Sequence, residues 1–207
     1  MKHLIFDFDG VLGDSKQAIA ETHIEVGDVS NMQGAELMME QYFTSKAPLA
    51  KEKSNPLALA KKLEWFSRFS PILLRKGIPF FDGFISEIAS ISAPVRLSVV
   101  TSGSHIFIDS FVRQIPLSFD HVLCFEDSPS KESKIGTICQ NWHVSEKDVY
   151  YFTDTNADVH ELEHQLTRTK LAGCAWGYVG AKWLEKVLPT DQILYKFSDL
   201  HQYLATH

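Results

Sequence analysis

The stretch IFDFDGVLGDS, residues 5–15, places two carboxylates, Asp7 and Asp9, at the end of an apolar run. Side chains two positions apart on a strand point the same way, so both carboxylates face one cavity. Gly10 then turns the chain sharply out of the strand. Taken alone, the pair could simply cap a strand that ends in an Asp-Gly turn. Because burying charge is costly unless it is paired, hydrogen-bonded or metal-bound, the arrangement also indicates a functional site.

The length and composition are those of a globular protein. The chain has 207 residues, of which 44% are hydrophobic and 22% are charged. This length suits one domain with an insertion, or two small domains. No apolar run approaches the ~20 residues of a membrane span, and the N-terminus lacks the pattern of a signal peptide. We therefore expect a cytoplasmic protein without a membrane partner.

Charge and cysteine content disfavour several other classes of protein. The formal net charge is −6 and no basic cluster is present, which disfavours nucleic acid as a partner. The cysteines Cys124, Cys139 and Cys174 are far apart and lack CxxC spacing, which disfavours a disulfide framework or a zinc ribbon. We expect three reduced, partly buried thiols. Composition leaves the oligomeric state open between monomer and homodimer.

Six short apolar runs, most of them rich in β-branched residues, are predicted to be strands. Helical patterns fill most of the intervals, including 104–115 and 132–142. Strands that alternate with helices predict an α/β fold with a Rossmann-like parallel sheet and helices on both faces. The predicted strands are 3–8, 96–102, 121–125, 148–154, 171–176 and 192–197.

The interval from 15 to 80 differs because it contains helical patterns and no convincing strand. We expect it to form an inserted α-helical cap domain on an α/β core made of residues 1–14 and 81–207. The return hinge is predicted in FFDGF, residues 80–84, with a turn at its Asp-Gly pair, Asp82 and Gly83. Four prolines predict several separate short helices in the insertion: Pro48, Pro56, Pro71 and Pro79.

Polar residues follow several predicted strands, at the edge where parallel sheets bind ligands. Three carboxylates that converge on one spot repel one another unless a cation lies among them, and oxygen ligands suit Mg²⁺. A lysine and a hydroxyl nearby would hold phosphoryl oxygens. One aspartate could then attack phosphorus while the other moves a proton. Besides Asp7 and Asp9, the residues concerned are Thr101, Ser102, Lys131, Lys134, Asp154 and Asp158.

These residues carry a resemblance to the haloacid dehalogenase-like phosphohydrolase superfamily. DFDGVLGDS is similar to its first motif, SVVTSG to the second, the lysine of PSKESK to the third and YYFTDTNAD to the fourth. The four motifs occur in order and span residues 4–158. The insertion at 15–80 falls where this family places its helical C1 cap.

The resemblance implies roles for individual residues. Asp7 would be the nucleophile that forms an aspartyl-phosphate, and Asp9 the general acid and base. Thr101 would bind the phosphate, and Lys131 would stabilise the nucleophile and the phosphate. Mg²⁺ would be held by the Asp7 side chain, the Asp9 backbone carbonyl and Asp154, with Asp158 in support. We also expect Gly10, Ser102 and Gly103 to bind phosphate.

Simpler interpretations compete with these roles. Thr101 or Ser102 could be a plain helix N-cap, and Lys131 a surface lysine, although spacing favours it over Lys134. Asp154 and Asp158 could cap the following helix or lie in its first turn. Two other residues have metal-ligand spacing but lack an evident third ligand, so a solvated helix face is expected; they are His160 and His164.

The sequence therefore predicts a Mg²⁺-dependent phosphatase that resembles phosphoglycolate phosphatases and acts on a small phosphorylated metabolite. The alternatives are a sugar-phosphate mutase of the same superfamily, whose basic cap motif is not found here, and a catalytically idle scaffold of the same fold. Specificity is expected to lie in the cap, where no readable motif selects among the candidates. These are Glu21, His23, Glu25, Glu36, Lys46, Lys51 and Lys53.

Overall fold

The computed structural model describes residues 1–45, 55–166 and 170–207. Its centre is a six-stranded sheet with the order β3-β2-β1-β4-β5-β6, and every neighbouring pair of strands is parallel. The predicted α/β fold is therefore confirmed. The strands are β1 Lys2–Phe6, β2 Val95–Val100, β3 His121–Leu123, β4 Val149–Thr153, β5 Leu171–Cys174 and β6 Ile193–Leu194.

Each strand is shorter than its sequence pattern predicted. β1, β2 and β4 end just before Asp7, Thr101 and Asp154, so these polar residues lie beyond the sheet ladder. β6 has only two residues, because the backbone amides of Tyr195 and Lys196 donate instead to the carboxylate of Asp199, each at 3.0 Å. Amides that bond to a side chain cannot extend the ladder.

Helices cover both faces of the sheet, as predicted. One face packs α4 (Asp82–Ala89), α5 (His105–Val112) and α9 (Asp199–Thr206) over Phe6 and Phe152. The opposite face packs α6 (Lys131–Trp142), α7 (Asn156–Leu162) and α8 (Ala181–Leu184) over residues such as Ile5 and Tyr151. Side chains alternate between the two faces along each strand, so the strands are apolar on both sides.

The described part of the insertion between β1 and β2 contains three helices: α1 Lys16–Glu25, α2 Met32–Thr44 and α3 Pro56–Lys76. The prediction of short helices is wrong for α3, which continues through Pro71 for 21 residues. The buried side chains of Phe66, Phe69 and Leu73 lie on both sides of Pro71 in sequence, and their burial offsets the lost backbone hydrogen bond. Pro48 lies outside the described residues.

The insertion joins the core through two adjacent chain segments. Gly13 and Phe80 form an antiparallel bridge, and the Asp14 amide donates to the Pro79 carbonyl at 2.9 Å. The turn predicted at Asp82 and Gly83 is wrong, because both residues lie in α4. Gly83 lies so close to the Phe197 ring that an added Cβ would overlap it, and this contact holds the first turn of α4 against the core. The division into domains at 14 and 80 stays a prediction.

The structure also bears on the cysteines and on membrane-spanning helices. The three cysteines are free and buried, which agrees with the predicted reduced thiols. In the described part of the chain, no helix combines the length and apolar character needed to cross a membrane.

Candidate active site

The site lies at the carboxyl edge of the three central strands. β1 is hydrogen-bonded to β2 on one side and β4 on the other. Asp7, Thr101 and Asp154 immediately follow these strands, so the sheet brings them to one edge. The Asp7 amide donates to the Phe152 carbonyl at 2.9 Å, which holds the backbone of Asp7 beside β4. The first, second and fourth sequence motifs therefore meet at one edge.

Lys131 joins two of the carboxylates at this edge. Its Nζ lies 2.5 Å from Asp7 Oδ2 and 2.6 Å from Asp158 Oδ2. The side chain is buried although it occupies the first residue of α6, where Ser130 is the N-cap. The Lys131 amide donates to Glu161 at 2.8 Å, which fixes the helix start. The alternative of a surface lysine does not agree with this burial.

Lys134 has a different set of partners. Its Nζ donates to the Thr101 carbonyl at 2.5 Å and to the Cys124 carbonyl at 3.2 Å. Burial, together with the charge of Lys131, lowers the pKa of Lys134 to about 8. Lys134 therefore ties the ends of β2 and β3 together, whereas Lys131 contacts Asp7.

Asp158 is bound to its neighbours through one oxygen. Besides Lys131, its Oδ2 accepts hydrogen bonds from Thr153 Oγ1 at 2.7 Å and the Tyr151 hydroxyl at 3.3 Å. Burial acts to raise the pKa of Asp158, but Lys131 and these hydrogen bonds outweigh it and lower the pKa. The geometry makes Asp158 a residue that positions Lys131. Its expected part in metal binding stays a prediction.

Asp7 is buried close to other acids. Burial raises the pKa of Asp7 well above its ordinary value, and Asp158 and Asp154 act in the same direction while Lys131 opposes them. One lysine thus does not neutralise the group. A further cation would keep Asp7 ionised, as a nucleophile requires.

Asp9 has the environment of a group that exchanges protons. Its Oδ1 accepts a hydrogen bond from Ser15 Oγ at 2.5 Å, and Ser15 in turn lies 2.8 Å from the Tyr178 hydroxyl. Burial raises the pKa of Asp9 to about 6. A carboxyl group with a pKa near neutrality can both donate and accept a proton during a reaction.

Asp154 supplies a free ligand atom. Its Oδ2 accepts a hydrogen bond from the Tyr178 amide at 2.5 Å, whereas its buried Oδ1 has no hydrogen-bond partner. Burial raises the pKa of Asp154 to about 7. Buried polar atoms normally have partners, so an orphaned carboxylate oxygen beside Asp7 marks a place for a cation. Carboxylate oxygens are hard ligands, and this donor set fits Mg²⁺.

Two glycines let the backbone approach Asp154. Gly10 has a φ of 77°, and a Cβ on it would overlap Asp154 Oδ2. A Cβ on Gly177 would overlap the Asp154 side chain and the Gly10 carbonyl. Gly10, which we expected to bind phosphate, thus also makes room for the predicted metal ligand. Gly177 carried only a weak signal, its position after the fifth strand.

The turn after β2 contains the second motif. Thr101 Oγ1 accepts a hydrogen bond from the Gly103 amide at 2.9 Å. Thr101 and Gly103 are buried and Ser102 is exposed. The N-cap of α5 is Ser104, so the alternative that Thr101 or Ser102 caps this helix is wrong. The phosphate-binding roles of this turn stay predictions.

The helix after β4 agrees with the simpler interpretation at Asp158, which lies in its first turn, but not at Asp154. Its N-cap is Thr155, whose hydroxyl accepts from the Asp158 amide at 3.4 Å, so Asp154 does not cap it. His160 is half-buried and His164 is exposed, but the helix ends at Leu162, so the expectation that both histidines lie on one helix face is wrong. Sequence reasoning missed the hydroxyl chain from Ser15 to Tyr178, for which Ser15 in the first motif was the only signal.

Helix α2 of the insertion lies beside the site. It contacts α7, and the Phe43 ring centroid lies 4.8 Å from that of Tyr178. Tyr42 is 61% exposed. Desolvation by the surrounding protein nevertheless raises the pKa of its hydroxyl; Lys131 opposes this shift, and Asp158, Glu161 and Asp7 act in the same direction as desolvation. Nothing in the sequence singled out Tyr42.

Three of the candidate specificity residues form ion pairs with other residues of the insertion. Glu21 and Glu25 lie 3.4 Å from Lys76 Nζ, and His23 lies 2.7 Å from Asp28. These pairs connect α1 with its neighbours in the insertion. Glu36 lines a cavity of about 560 Å³ between α1 and α2. The remaining candidates lie outside the described residues: Lys46, Lys51 and Lys53.

Comparison with known proteins identifies the family. The haloacid dehalogenase-like hydrolase family model matches residues 4–164. A predicted phosphatase from Clostridium acetobutylicum has a TM-score of 0.72 at 17% identity, with 100% of this chain and 99% of that chain covered. A haloacid dehalogenase-like hydrolase from Streptococcus pneumoniae has a TM-score of 0.72 at 18% identity, with 99% and 98% covered.

A predicted phosphoglycolate phosphatase from Haemophilus somnus has a TM-score of 0.66 at 14% identity, with 99% of this chain and 98% of that chain covered. At such identities the likeness shows the fold alone. No curated protein matches the chain in sequence. The family model spans most of the chain and all four motifs. The chain therefore belongs to the haloacid dehalogenase-like hydrolase family.

Proposed function

We propose that this protein is a Mg²⁺-dependent phosphatase that hydrolyses a small phosphorylated metabolite through an aspartyl-phosphate. The observation that carries the proposal is the contact of Lys131 with Asp7, beside the orphaned Asp154 oxygen. This arrangement offers a nucleophile, a cation for phosphoryl oxygens and donors for a metal. Phosphate monoesters need all three, because their uncatalysed hydrolysis is among the slowest reactions known.

The proposed reaction has two steps. A carboxylate oxygen of Asp7 attacks phosphorus, the bond from phosphorus to the ester oxygen breaks, and Asp9 donates its proton to the departing oxygen. Asp9, now a carboxylate, then takes a proton from water as the water oxygen attacks phosphorus. The bond between Asp7 and phosphorus breaks, and inorganic phosphate leaves. The pKa of about 6 at Asp9 suits both proton transfers.

Other residues hold the phosphoryl group during these steps. We assign Lys131 and the hydroxyl of Thr101 to its non-bridging oxygens, with Ser102 and the turn at Gly103 beside them. Asp7, Asp154 and the Asp9 backbone carbonyl would hold Mg²⁺, with Asp158 positioning Lys131. When bound, Mg²⁺ supplies positive charge that neutralises the carboxylates and polarises the phosphoryl oxygens.

The comparisons support the reaction class and suggest a substrate type. Structural neighbours include a predicted phosphatase and a predicted phosphoglycolate phosphatase. A small acidic phosphate ester of the phosphoglycolate kind is therefore the proposed substrate class. The insertion of α1 to α3 is proposed to act as a cap, because α2 lies beside the site edge. We further propose a cytoplasmic location, without nucleic acid or membrane as partner.

The test is hydrolysis of p-nitrophenyl phosphate with and without Mg²⁺. Wild type should turn over only with Mg²⁺, and Asp7→Asn should lose turnover by at least about a thousandfold. Asp191→Asn is the matched control, because the Asp191 side chain is exposed and its ion-pair partner, His207, is not part of the proposed site. Equal rates for wild type and Asp7→Asn would refute the proposal. Inactive, well-folded wild type that also fails on a panel of small phosphate esters would favour the scaffold alternative.

A further inference from the structure

A second group of metal-ligand side chains lies beside the turn that follows β2. His105 and Asp109 lie four residues apart on α5, and Cys124 immediately follows β3. One potential ligand atom from each residue lies within 4.8 Å of those of the other two. This group shares no residue with the proposed catalytic set, and it combines nitrogen, oxygen and sulfur donors.

His105 and Asp109 are in direct contact and lie slightly closer together than two ligands of one ion would. His105 Nδ1 lies 3.1 Å from Asp109 Oδ1. In a tetrahedral zinc site, bonds of about 2.0–2.3 Å place ligand atoms roughly 3.3–3.8 Å apart. The helix provides this arrangement directly, because residues four apart lie on one face. Binding therefore requires the His105 and Asp109 atoms to separate slightly and the Cys124 sulfur to approach by roughly 1.3 Å at most.

A carboxylate already orients the imidazole. His105 Nε2 lies 2.7 Å from Asp127 Oδ2, and that same oxygen accepts a hydrogen bond from the Cys124 amide at 2.7 Å. Histidines that bind metal commonly donate their other ring N–H to a carboxylate, which fixes the tautomer. Because each ring nitrogen faces a carboxylate oxygen, both N–H groups donate when no metal is bound, Nε2 to Asp127 and Nδ1 to Asp109. Loss of the Nδ1 proton would free its lone pair for a metal, while Nε2 stays protonated toward Asp127.

Access and charge also suit a cation. The side chains of His105 and Asp109 are 34% and 43% exposed, whereas Cys124 is buried. An ion can thus enter from solvent and meet the sulfur on the protein side. One carboxylate, one thiolate and a neutral imidazole would balance a divalent charge. A mixed set of this kind favours Zn²⁺ over Mg²⁺, which prefers oxygen alone.

We propose that His105, Asp109 and Cys124 form a second metal site that binds Zn²⁺ or a similar borderline-soft divalent cation. Asp127 acts as the residue that positions the His105 ring. On binding, the Cys124 thiol and His105 Nδ1 each release a proton to solvent, and bonds from the sulfur and the nitrogen to the metal form. Water occupies the fourth position. The site is independent of the proposed phosphatase reaction, because it contains none of its residues.

The probe is Co²⁺, added to the metal-free full-length protein in saturating Mg²⁺, which occupies the oxygen site. Wild type should bind one Co²⁺ with a thiolate-to-cobalt charge-transfer band and the visible bands of tetrahedral cobalt, and Zn²⁺ should abolish both. Cys124→Ser should lose the charge-transfer band. Asp127→Asn should weaken binding about 10–100-fold, as expected when the partner of a ligand histidine is removed.

Cys139→Ser is the matched control, since Cys139 is also a buried thiol but lies on α6, outside the group. It should keep the band. His105→Ala changes a partly exposed residue, so it tests the proposal even if Cys124→Ser fails to fold, and it should weaken binding at least about tenfold. Absence of the band in wild type, or its persistence in Cys124→Ser, would show that His105 forms ion pairs only.

Discussion

The carboxyl edge of the sheet and the helical insertion both carry many charges, but they hold them differently. At the sheet edge, Lys131 and Asp7 are 3% and 8% exposed and in direct contact. In the insertion, Arg75 and Glu25 also form an ion pair, yet they are 65% and 41% exposed. Desolvation makes the buried pair costly to form. The exposed pair stays solvated and contributes little to stability. Buried charge therefore indicates function, whereas exposed charge does not.

Removal of the buried cation should have the largest effect. Lys131→Met leaves Asp7 and Asp158 buried without their partner, so the free energy of unfolding should fall by about 3–5 kcal/mol. Turnover of p-nitrophenyl phosphate should disappear, because Asp7 and the phosphoryl group both lose their cation. Urea unfolding of the metal-free protein and steady-state kinetics measure the two effects.

Lys134→Met is the matched comparison, because Lys134 is equally buried but bonds to two backbone carbonyls. It should lower stability yet retain turnover within about tenfold of wild type, since only hydrogen bonds to neutral groups are lost. The reverse pattern, with Lys134→Met inactive and Lys131→Met active, would reassign the motif lysine.

Removal of the orphaned carboxylate should change the pH dependence of stability. The pKa of Asp154 is raised in the folded protein from 3.8 to about 7. The folded protein therefore holds the Asp154 proton more tightly than the unfolded chain does. This proton stabilises the fold fully below the unfolded pKa, and the stabilisation is lost as pH rises through about 7. Metal-free wild type should lose a few kcal/mol between about pH 5 and pH 8, and Asp154→Asn should lose less. Thermal unfolding across this range measures the difference.

Stabilisation by Mg²⁺ provides a second test of the role of Asp154. At about pH 8, Mg²⁺ should raise the melting temperature of wild type by mass action but leave that of Asp154→Asn unchanged. The raised pKa of Asp9, about 6, remains in both proteins and cancels in the comparison. Equal stabilisation of the two proteins by Mg²⁺ would place the metal elsewhere.

A smaller effect is expected from one added methyl group. Gly177→Ala places a Cβ against Asp154 and the Gly10 carbonyl, so these groups must separate. The free energy of unfolding should fall by about 1–3 kcal/mol, as for overpacking elsewhere. The Mg²⁺-induced rise in melting temperature should shrink with it.

Gly34→Ala in α2 is the control from the insertion. A Cβ there meets its nearest neighbour, Asn31 Oδ1, at 3.5 Å, an ordinary contact. Alanine favours the helix by up to about 1 kcal/mol, so stability should stay equal or rise. A similar loss of stability in Gly177→Ala and Gly34→Ala would mean that the close contact of Gly177 with Asp154 does not contribute to the effect.

The smallest effect should come from an exposed ion pair. Glu25→Gln removes the carboxylate that contacts Arg75 and lies 3.4 Å from Lys76 Nζ. Because these groups are solvated, the free energy of unfolding should change very little, and turnover should stay the same. A loss comparable to that of Lys131→Met would remove the distinction between the two regions. Chemical denaturation with added salt measures the change.

The sequence predicted the sheet edge well for a physical reason. Strand periodicity and the parallel topology bring residues that follow different strands to one edge, so Asp7, Thr101 and Asp154 could be grouped without coordinates. The structure agrees with that grouping. Spacing favoured Lys131 over Lys134 as the partner of Asp7 but did not decide between them, because one helical turn separates them and only packing determines which side chain enters the site.

The insertion was predicted less completely, because its features depend on tertiary contacts. Pro71 predicts a helix break, yet buried side chains before and after it in sequence keep α3 continuous. Asp82 and Gly83 read as a turn, but Gly83 fits against Phe197, a contact between residues far apart in sequence. Tyr178 likewise has no motif, and its importance comes from contacts with Ser15 and Asp154.

The most direct test of the proposed function is identification of the phosphorylated side chain. Enzyme that is turning over p-nitrophenyl phosphate with Mg²⁺ is quenched in acid and reduced with borohydride, which converts an aspartyl-phosphate to homoserine. Peptide mass spectrometry then locates the change. We predict homoserine at position 7 in wild type only when substrate and Mg²⁺ are both present. Product formation with position 7 unmodified, or with the change at another aspartate, would contradict the proposed mechanism.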